Sequence, residues 1–363
     1  MQKISRMAAP AIVLLFVCSI VCAAETITLV AGGGDGPDGS PALKGKVVWP
    51  FAVDFDKSGN MYIAEMKGGE RVRKVDTNGI LTTIAGTGKI GFSGDGGPAI
   101  NAQFNGPHHL VVGPDDTTVY VADTFNHAVR KIDLKTGTIS TFAGTGTKGF
   151  SGDGGPADKA QLNEAYCLAR DAAFEKLYVV DLRNARVRAI NMKTGVINTV
   201  AGNGQKGTPA DGTDATAAPL NDPRAITLDS KGNLYILERG GNCLRVVGTD
   251  GKIKTVAGTG KPGNGDGDGG PALKATFRSP KHLCADLEDN ILIADSDNHL
   301  IRKYIPANGT IVRVAGTGKA GAAGLGGPPD KAELNQPHGV YVDKTGAIFI
   351  SDSTNNRVVK IQR

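Results

Sequence analysis

The stretch HHLVVGPDDTTVYVADTFNHAVRKIDLKTGTISTFAG, residues 108–144, decides the fold. His109-Leu110-Val111-Val112 is a short apolar run that stops at the turn Gly113-Pro114-Asp115-Asp116. Val119-Tyr120-Val121-Ala122 is a second run, halted by Asp123-Thr124-Phe125-Asn126. Ala128-Val129-Arg130-Lys131-Ile132 alternates, and Lys135-Thr136-Gly137 turns the chain into Thr138-Ile139-Ser140-Thr141-Phe142. Four short strands separated by turn residues make an antiparallel meander, with strands a, b, c and d in chain order.

Outward from this unit, the same pattern recurs. Strand d ends in Ala-Gly six times, with the glycines at Gly32, Gly86, Gly144, Gly202, Gly258 and Gly316, spaced 54, 58, 58, 56 and 58 residues apart. Strand b recurs as Met61-Tyr62-Ile63, Leu177-Tyr178-Val179, Leu234-Tyr235-Ile236, Ile291-Leu292-Ile293 and Ile348-Phe349-Ile350. A long, regular period means one supersecondary unit copied through the chain. Strands apolar on both faces belong to sheets packed between two neighbours, which predicts an all-β, six-bladed β-propeller of four-stranded antiparallel blades. The ends agree with this. The chain finishes on a c strand, Val358-Val359-Lys360-Ile361, and an orphan d strand, Thr26-Ile27-Thr28-Leu29-Val30, stands near its start. Pairing the two completes blade six and leaves no open seam.

Residues 1–24 are of another kind. Lys3 and Arg6 precede an apolar run from Ala8 to Val21, and Cys22-Ala23-Ala24 offers small residues for cleavage before Glu25. This reads as a signal peptide, with 25–363 as the propeller domain and an exported, periplasmic or extracellular location. A run near 14 residues is short of the roughly 20 that a membrane span needs. The formal charge of +5 falls to +3 on cleavage, and its Lys and Arg are scattered, so nucleic acid is not an expected partner. Cys167, Cys243 and Cys284 remain, an odd number without metal-ligand spacing, and read as small buried side chains.

The segment Tyr120-Val121-Ala122-Asp123-Thr124-Phe125-Asn126-His127-Ala128-Val129-Arg130-Lys131-Ile132 resembles the NHL repeat, as does Ser351-Asp352-Ser353-Thr354-Asn355-Asn356-Arg357-Val358. The connector Gly91-Phe92-Ser93-Gly94-Asp95-Gly96-Gly97-Pro98-Ala99, repeated at 149–157, is similar to connectors in the NHL propellers of teneurins and of exported bacterial proteins. The resemblance extends over residues 25–363. It implies a propeller that serves as a binding surface, since such propellers are only sometimes enzymes.

Strand b closes on an acid in every unit: Glu65, Asp123, Asp181, Glu238, Asp295 and Asp352. Six identical positions read as scaffold. The acid accepts hydrogen bonds from the b–c turn and pairs with the arginine of strand c at Arg73, Arg130, Arg188, Arg245 and Arg302. The Gly-Asp-Gly-Gly-Pro connector has too few oxygen ligands for a calcium loop, and reads as a compact turn leading into a short helix.

Positions that differ between blades are more informative. The first channel residue of strand a is Phe51, His108, Tyr166, Arg224, Lys281 and His338 in turn, and the next is Ala52, His109, Cys167, Ala225, His282 and Gly339. The first set predicts a ligand site at the upper mouth of the channel, suited by its cations to a small anionic ligand or an acidic protein partner. The alternative is a metal-dependent lyase or hydrolase. Pro107-His108 and Pro337-His338 are similar to the zinc-ligating motif of peptidyl-hydroxyglycine amidating lyases, which implies a divalent metal such as zinc or calcium. Pro223-Arg224 stands where a third histidine belongs, and arginine cannot ligate zinc. Alternation along the strand predicts that His109 and His282 face away from the channel. With no nucleophile motif either, neither a catalytic residue nor a cofactor is expected.

Overall fold

The computed structural model describes residues 25–362, so the signal-peptide reading of residues 1–24 lies outside the described residues. Six antiparallel sheets stand in sequence around a central channel, each containing the order a-b-c-d, and in blades one and four a two-residue strand, Ser40–Pro41 or Thr213–Asp214, adds to the outer edge of d. In blades one to five, strand a is Pro50–Phe55, Pro107–Val112, Ala165–Arg170, Pro223–Leu228 and His282–Ala285. Strand d of those blades is Ile80–Ala85, Thr138–Ala143, Ile197–Ala201, Lys252–Ala257 and Thr310–Ala315. Blade six takes a, b and c from Gly339–Val342, Ile348–Asp352 and Arg357–Gln362, and its d strand is Thr26–Ala31. Ile27 pairs with Ile361 and Leu29 with Val359, so the ring closes as the sequence predicts.

The Ala-Gly ending is explained by packing. Each of the six alanines is fully buried, from Ala31 to Ala315. The glycine after each has φ between 78° and 95° and runs against the residue that ends the b–c turn. A Cβ on Gly144 would lie 2.4 Å from the His127 carbonyl oxygen, and one on Gly316 only 2.2 Å from that of His299. Only glycine fits that approach.

The acidic ring has more bonding partners than the sequence suggests. All six carboxylates are buried. Asp123 accepts the Asn105 backbone N–H at 2.8 Å, the Asn126 side-chain amide at 2.9 Å and Arg130 Nη1 at 3.2 Å. One carboxyl therefore ties together the chain entering strand a, the b–c turn and strand c. The backbone donor comes from the connector rather than from the b–c turn, which contributes its Asn side chain instead. The connector acids close the same network: Asp95, Asp153 and Asp268 pair with Arg130, Arg188 and Arg302. The short helices after these connectors are single 3-10 turns, such as Ala99–Asn101. Cys243 donates to Glu238 from its buried thiol.

Candidate functional site

The channel is lined by the six a strands, and the residue before each one sets how the chain enters. Trp49, Glu164, Asp222, Ser279 and Gln336 all have φ between 41° and 62°, and Gly106 takes 70° at the same place. This left-handed step, costly for residues with a side chain, swings the next residues over the channel axis. A bulge follows: Pro107 pairs with Asp123 and His109 with Ala122, so His108 is the extra residue. Blades one, three and four carry the same irregularity.

The first residues converge. The Phe51 ring stacks on His338 at 3.8 Å between centroids and meets His108 edge-on at 4.8 Å. His108 lies 3.5 Å from the Tyr166 ring, and the Arg224 guanidinium sits 4.5 Å over the other side of that tyrosine. Phe51, His108, Tyr166 and Arg224 are buried, whereas Lys281 and His338 are partly open. His108 Nε2 and His338 Nδ1 are buried without a hydrogen-bond partner. Burial first, and then the neighbouring cations, hold both imidazoles well below their ordinary pKa, so both are neutral at pH 7.

Charges of both signs stand at this mouth. Asp222 is shared between Arg224, at 3.2 Å, and Arg239, at 2.6 Å. Burial together with Arg239 and Arg224 pulls the Lys281 ammonium down to about 8. Lys67 lies over the Trp49 ring at 4.0 Å on the rim. His108 and His338 lie 5.3 Å apart between ring centres with Phe51 against both, and among the described residues no third potential ligand joins them.

The second layer corrects the sequence reading. His109 and His282 do not face away from the channel: on blade two the bulge at His108 breaks strand alternation and leaves two successive side chains on the inner side, and His282 meets His109 there. The two rings meet across the channel from blades two and five, with Nε2 atoms 2.7 Å apart and centroids 4.8 Å apart, so they touch tip to tip. Each Nδ1 accepts a backbone N–H from the next blade, Leu168 at 3.4 Å and Val340 at 3.3 Å. Cys167 completes a group whose ligand atoms all lie within 4.8 Å of one another.

Below this layer the channel widens into a cavity of about 420 Å³ that opens at the other end of the propeller, where the a–b turns gather. Sequence reasoning missed it. Its wall carries five carboxyl groups, Asp54, Asp171, Asp229, Asp286 and Asp289, against one guanidinium, Arg170.

Comparison with known proteins bears on the scaffold. The NHL repeat family model matches residues 334–361. Protein SUPPRESSOR OF QUENCHING 1, chloroplastic, from Arabidopsis thaliana is 30% identical over 293 residues, which is 77% of this chain and 27% of that protein. NHL repeat-containing protein 2 from Gallus gallus is 27% identical over 344 residues, covering 87% of this chain and 46% of that protein. The chain thus spans between about a quarter and a half of the length of these curated relatives. Among solved structures, an auxiliary nutrient binding protein from Bacteroides ovatus superposes with a TM-score of 0.67 over 93% of this chain and 76% of that one, at 17% identity, a likeness of fold.

Proposed function

Because the chain is an NHL-repeat six-bladed β-propeller, we propose that it acts as an exported binding protein, taking a small anionic ligand or an acidic protein partner at its upper channel mouth. One observation carries the reading. Six residues that the repeat does not constrain, one from each blade, form a single cluster bordered by Arg224, Lys281 and Arg239, with only Asp222 in ion-pair contact with the two arginines. Two buried imidazole nitrogens within it await a partner. Unpaired polar atoms in a buried, cationic place are costly for a scaffold and useful for a ligand site. The solved propeller described as an auxiliary nutrient binding protein fits this use of the fold. Export rests on residues 1–24 as a signal peptide. Among the described residues, no helix is long and apolar enough to cross a membrane.

Trp49 is the chain's one tryptophan and packs against Phe51, 6.2 Å away, so its fluorescence reports on this mouth. Titrating the mature chain with dicarboxylates, sugar phosphates and acidic peptides should yield saturable quenching for one class, which R224A/K281A abolishes. A ligand bound equally by the double variant would remove the upper mouth from consideration.

A further inference from the structure

The upper-mouth reading leaves the second layer and the lower cavity without a task. His109, Cys167 and His282 come from blades two, three and five of the ring, far apart in sequence, and place two imidazole nitrogens and a thiol within 4.8 Å of one another. At the same level, the other three blades offer Ala52, Ala225 and Gly339, none of which carries a ligand atom. A structural plug would be filled with apolar side chains, not with three ligand-bearing ones, two of them buried and the third partly so.

The hydrogen bonding around the two rings is also incomplete. A neutral imidazole has one N–H. If both Nδ1 atoms accept from the Leu168 and Val340 amides, both protons sit on Nε2 and collide across 2.7 Å. If one Nε2 accepts from the other, one Nδ1–H faces a backbone N–H. No placement of two protons satisfies all three contacts. The amide contacts, at 3.3 and 3.4 Å, are the weakest of the three and the readiest to be given up.

We propose that His109 Nε2, His282 Nε2 and Cys167 Sγ form a binding site for a borderline-soft divalent metal of the zinc class, reached through the acidic lower cavity. A nitrogen–nitrogen–sulfur set suits zinc, and three protein ligands leave a fourth position open to water or a ligand. Tetrahedral bonding at ordinary Zn–N lengths separates two nitrogens by about 3.4 Å, so the rings part by roughly 0.7 Å from their 2.7 Å contact. Each ring then carries its proton on Nδ1 and gives up its contact with the Leu168 or Val340 amide, and the thiol gives up its proton to solvent as the metal binds. The way in is matched to a cation: five carboxyl groups and one guanidinium line the cavity below the site.

The test uses the whole mature chain, freed of metal by a chelator and titrated with zinc calorimetrically and with cobalt(II) optically. One equivalent should bind, cobalt should display a thiolate-to-metal charge-transfer band in the near ultraviolet, and C167S should lose that band. H109A and H282A should each weaken zinc by about 100-fold or more, given that even outer contacts to a metal are worth ten to a hundredfold. H108A/H338A should leave zinc binding unchanged, which separates this site from the upper mouth. The near-isosteric C167S keeps the test open if a histidine variant does not fold. Failure to saturate at millimolar zinc overturns the proposal, as does binding that C167S and H282A leave unaltered or that H108A/H338A removes.

Discussion

Arg357 reaches Asp352 with Nε 2.7 Å from Oδ2, from a position two residues earlier in strand c than its counterparts in the other blades. Val359 stands where Arg130 stands in blade two, each paired with the strand-b residue two before the acid, Ile350 and Val121. Arg357 nonetheless caps the same kind of connector carbonyls, those of Ala322 and Glu333, that Arg130 caps on Ser93 and Gln103. The sixth connector carries Leu325 and no acid there, so this guanidinium has one carboxylate where Arg130 has two. Removing it strands Asp352 in the core. R357A should cost about 3–5 kcal/mol by urea denaturation. R357A/V359R/L325D, which rebuilds the blade-two arrangement, should recover much of that loss. An unchanged midpoint for R357A would mean that the ring does not stabilise blade six.

The two buried titrating sets respond oppositely to acid. Burial raises Asp123, Asp181 and Asp295 to about 6 despite their arginines. Their contribution is present at low pH and lost as pH rises through about 6. His108 and His338 are depressed by burial, so the unfolded chain takes up protons there first, and their contribution is lost as pH falls below about 6.5. Between pH 7.5 and 5.5, H108Q/H338Q should therefore gain about 2–3 kcal/mol on the wild type, whatever its stability at pH 7.5. Parallel stability curves for the two proteins would contradict the burial of neutral imidazoles.

Lys281 titrates near 8, so its charge is fully available only below that value. Affinity for an anion at the upper mouth should fall about tenfold or more as pH rises through 8, since a hydrogen bond to a charged group is worth about 1.5–3 kcal/mol. K281R, which stays charged, should hold its affinity to higher pH. A flat profile in the wild type would mean that Lys281 does not touch the ligand.

In metal-free protein, His109 and His282 should be different tautomers, one protonated on Nε2 and the other on Nδ1, because their tips share one hydrogen bond. Nitrogen-15 spectra of the imidazoles distinguish the two forms. Two rings both protonated on Nε2 would mean that the tip-to-tip contact is absent in solution.

Ile27 is fully buried in the strand that closes the ring, opposite Ile361. I27A should cost about 3 kcal/mol, in the ordinary range for truncating a buried isoleucine. A cost near zero in chemical denaturation would show the seam to be open in solution.

The fold was legible because repetition averages out local ambiguity. Any one strand b is a weak signal, but six, each followed by an acid, are not. The upper ring was legible for the complementary reason, since variation at Phe51, His108, Tyr166, Arg224, Lys281 and His338 stands out against constancy. The second layer was not. Strand alternation is a rule for unbroken ladders, and the bulge at His108 moves His109 inward, where His282 meets it. The left-handed residue before each strand a is a trace of that kink, but Trp49, Glu164 and Gln336 give no compositional sign of it. The lower cavity was missed because five of its carboxyl groups also belong to unremarkable strand ends and turns.

Closure by Thr26–Ala31 has a consequence for the chain as it is being made. The strand is made before those of the other five blades, and its partner, Arg357–Gln362, after them. At about 5–20 residues per second the interval is tens of seconds. Throughout that time five blades can assemble in order, each on the one before, while the first strand trails with its apolar face and backbone donors unclaimed. It is then the stretch most open to capture by a chaperone or by another copy of itself. The speed of synthesis, rather than the strength of the finished seam, sets how long that hazard lasts.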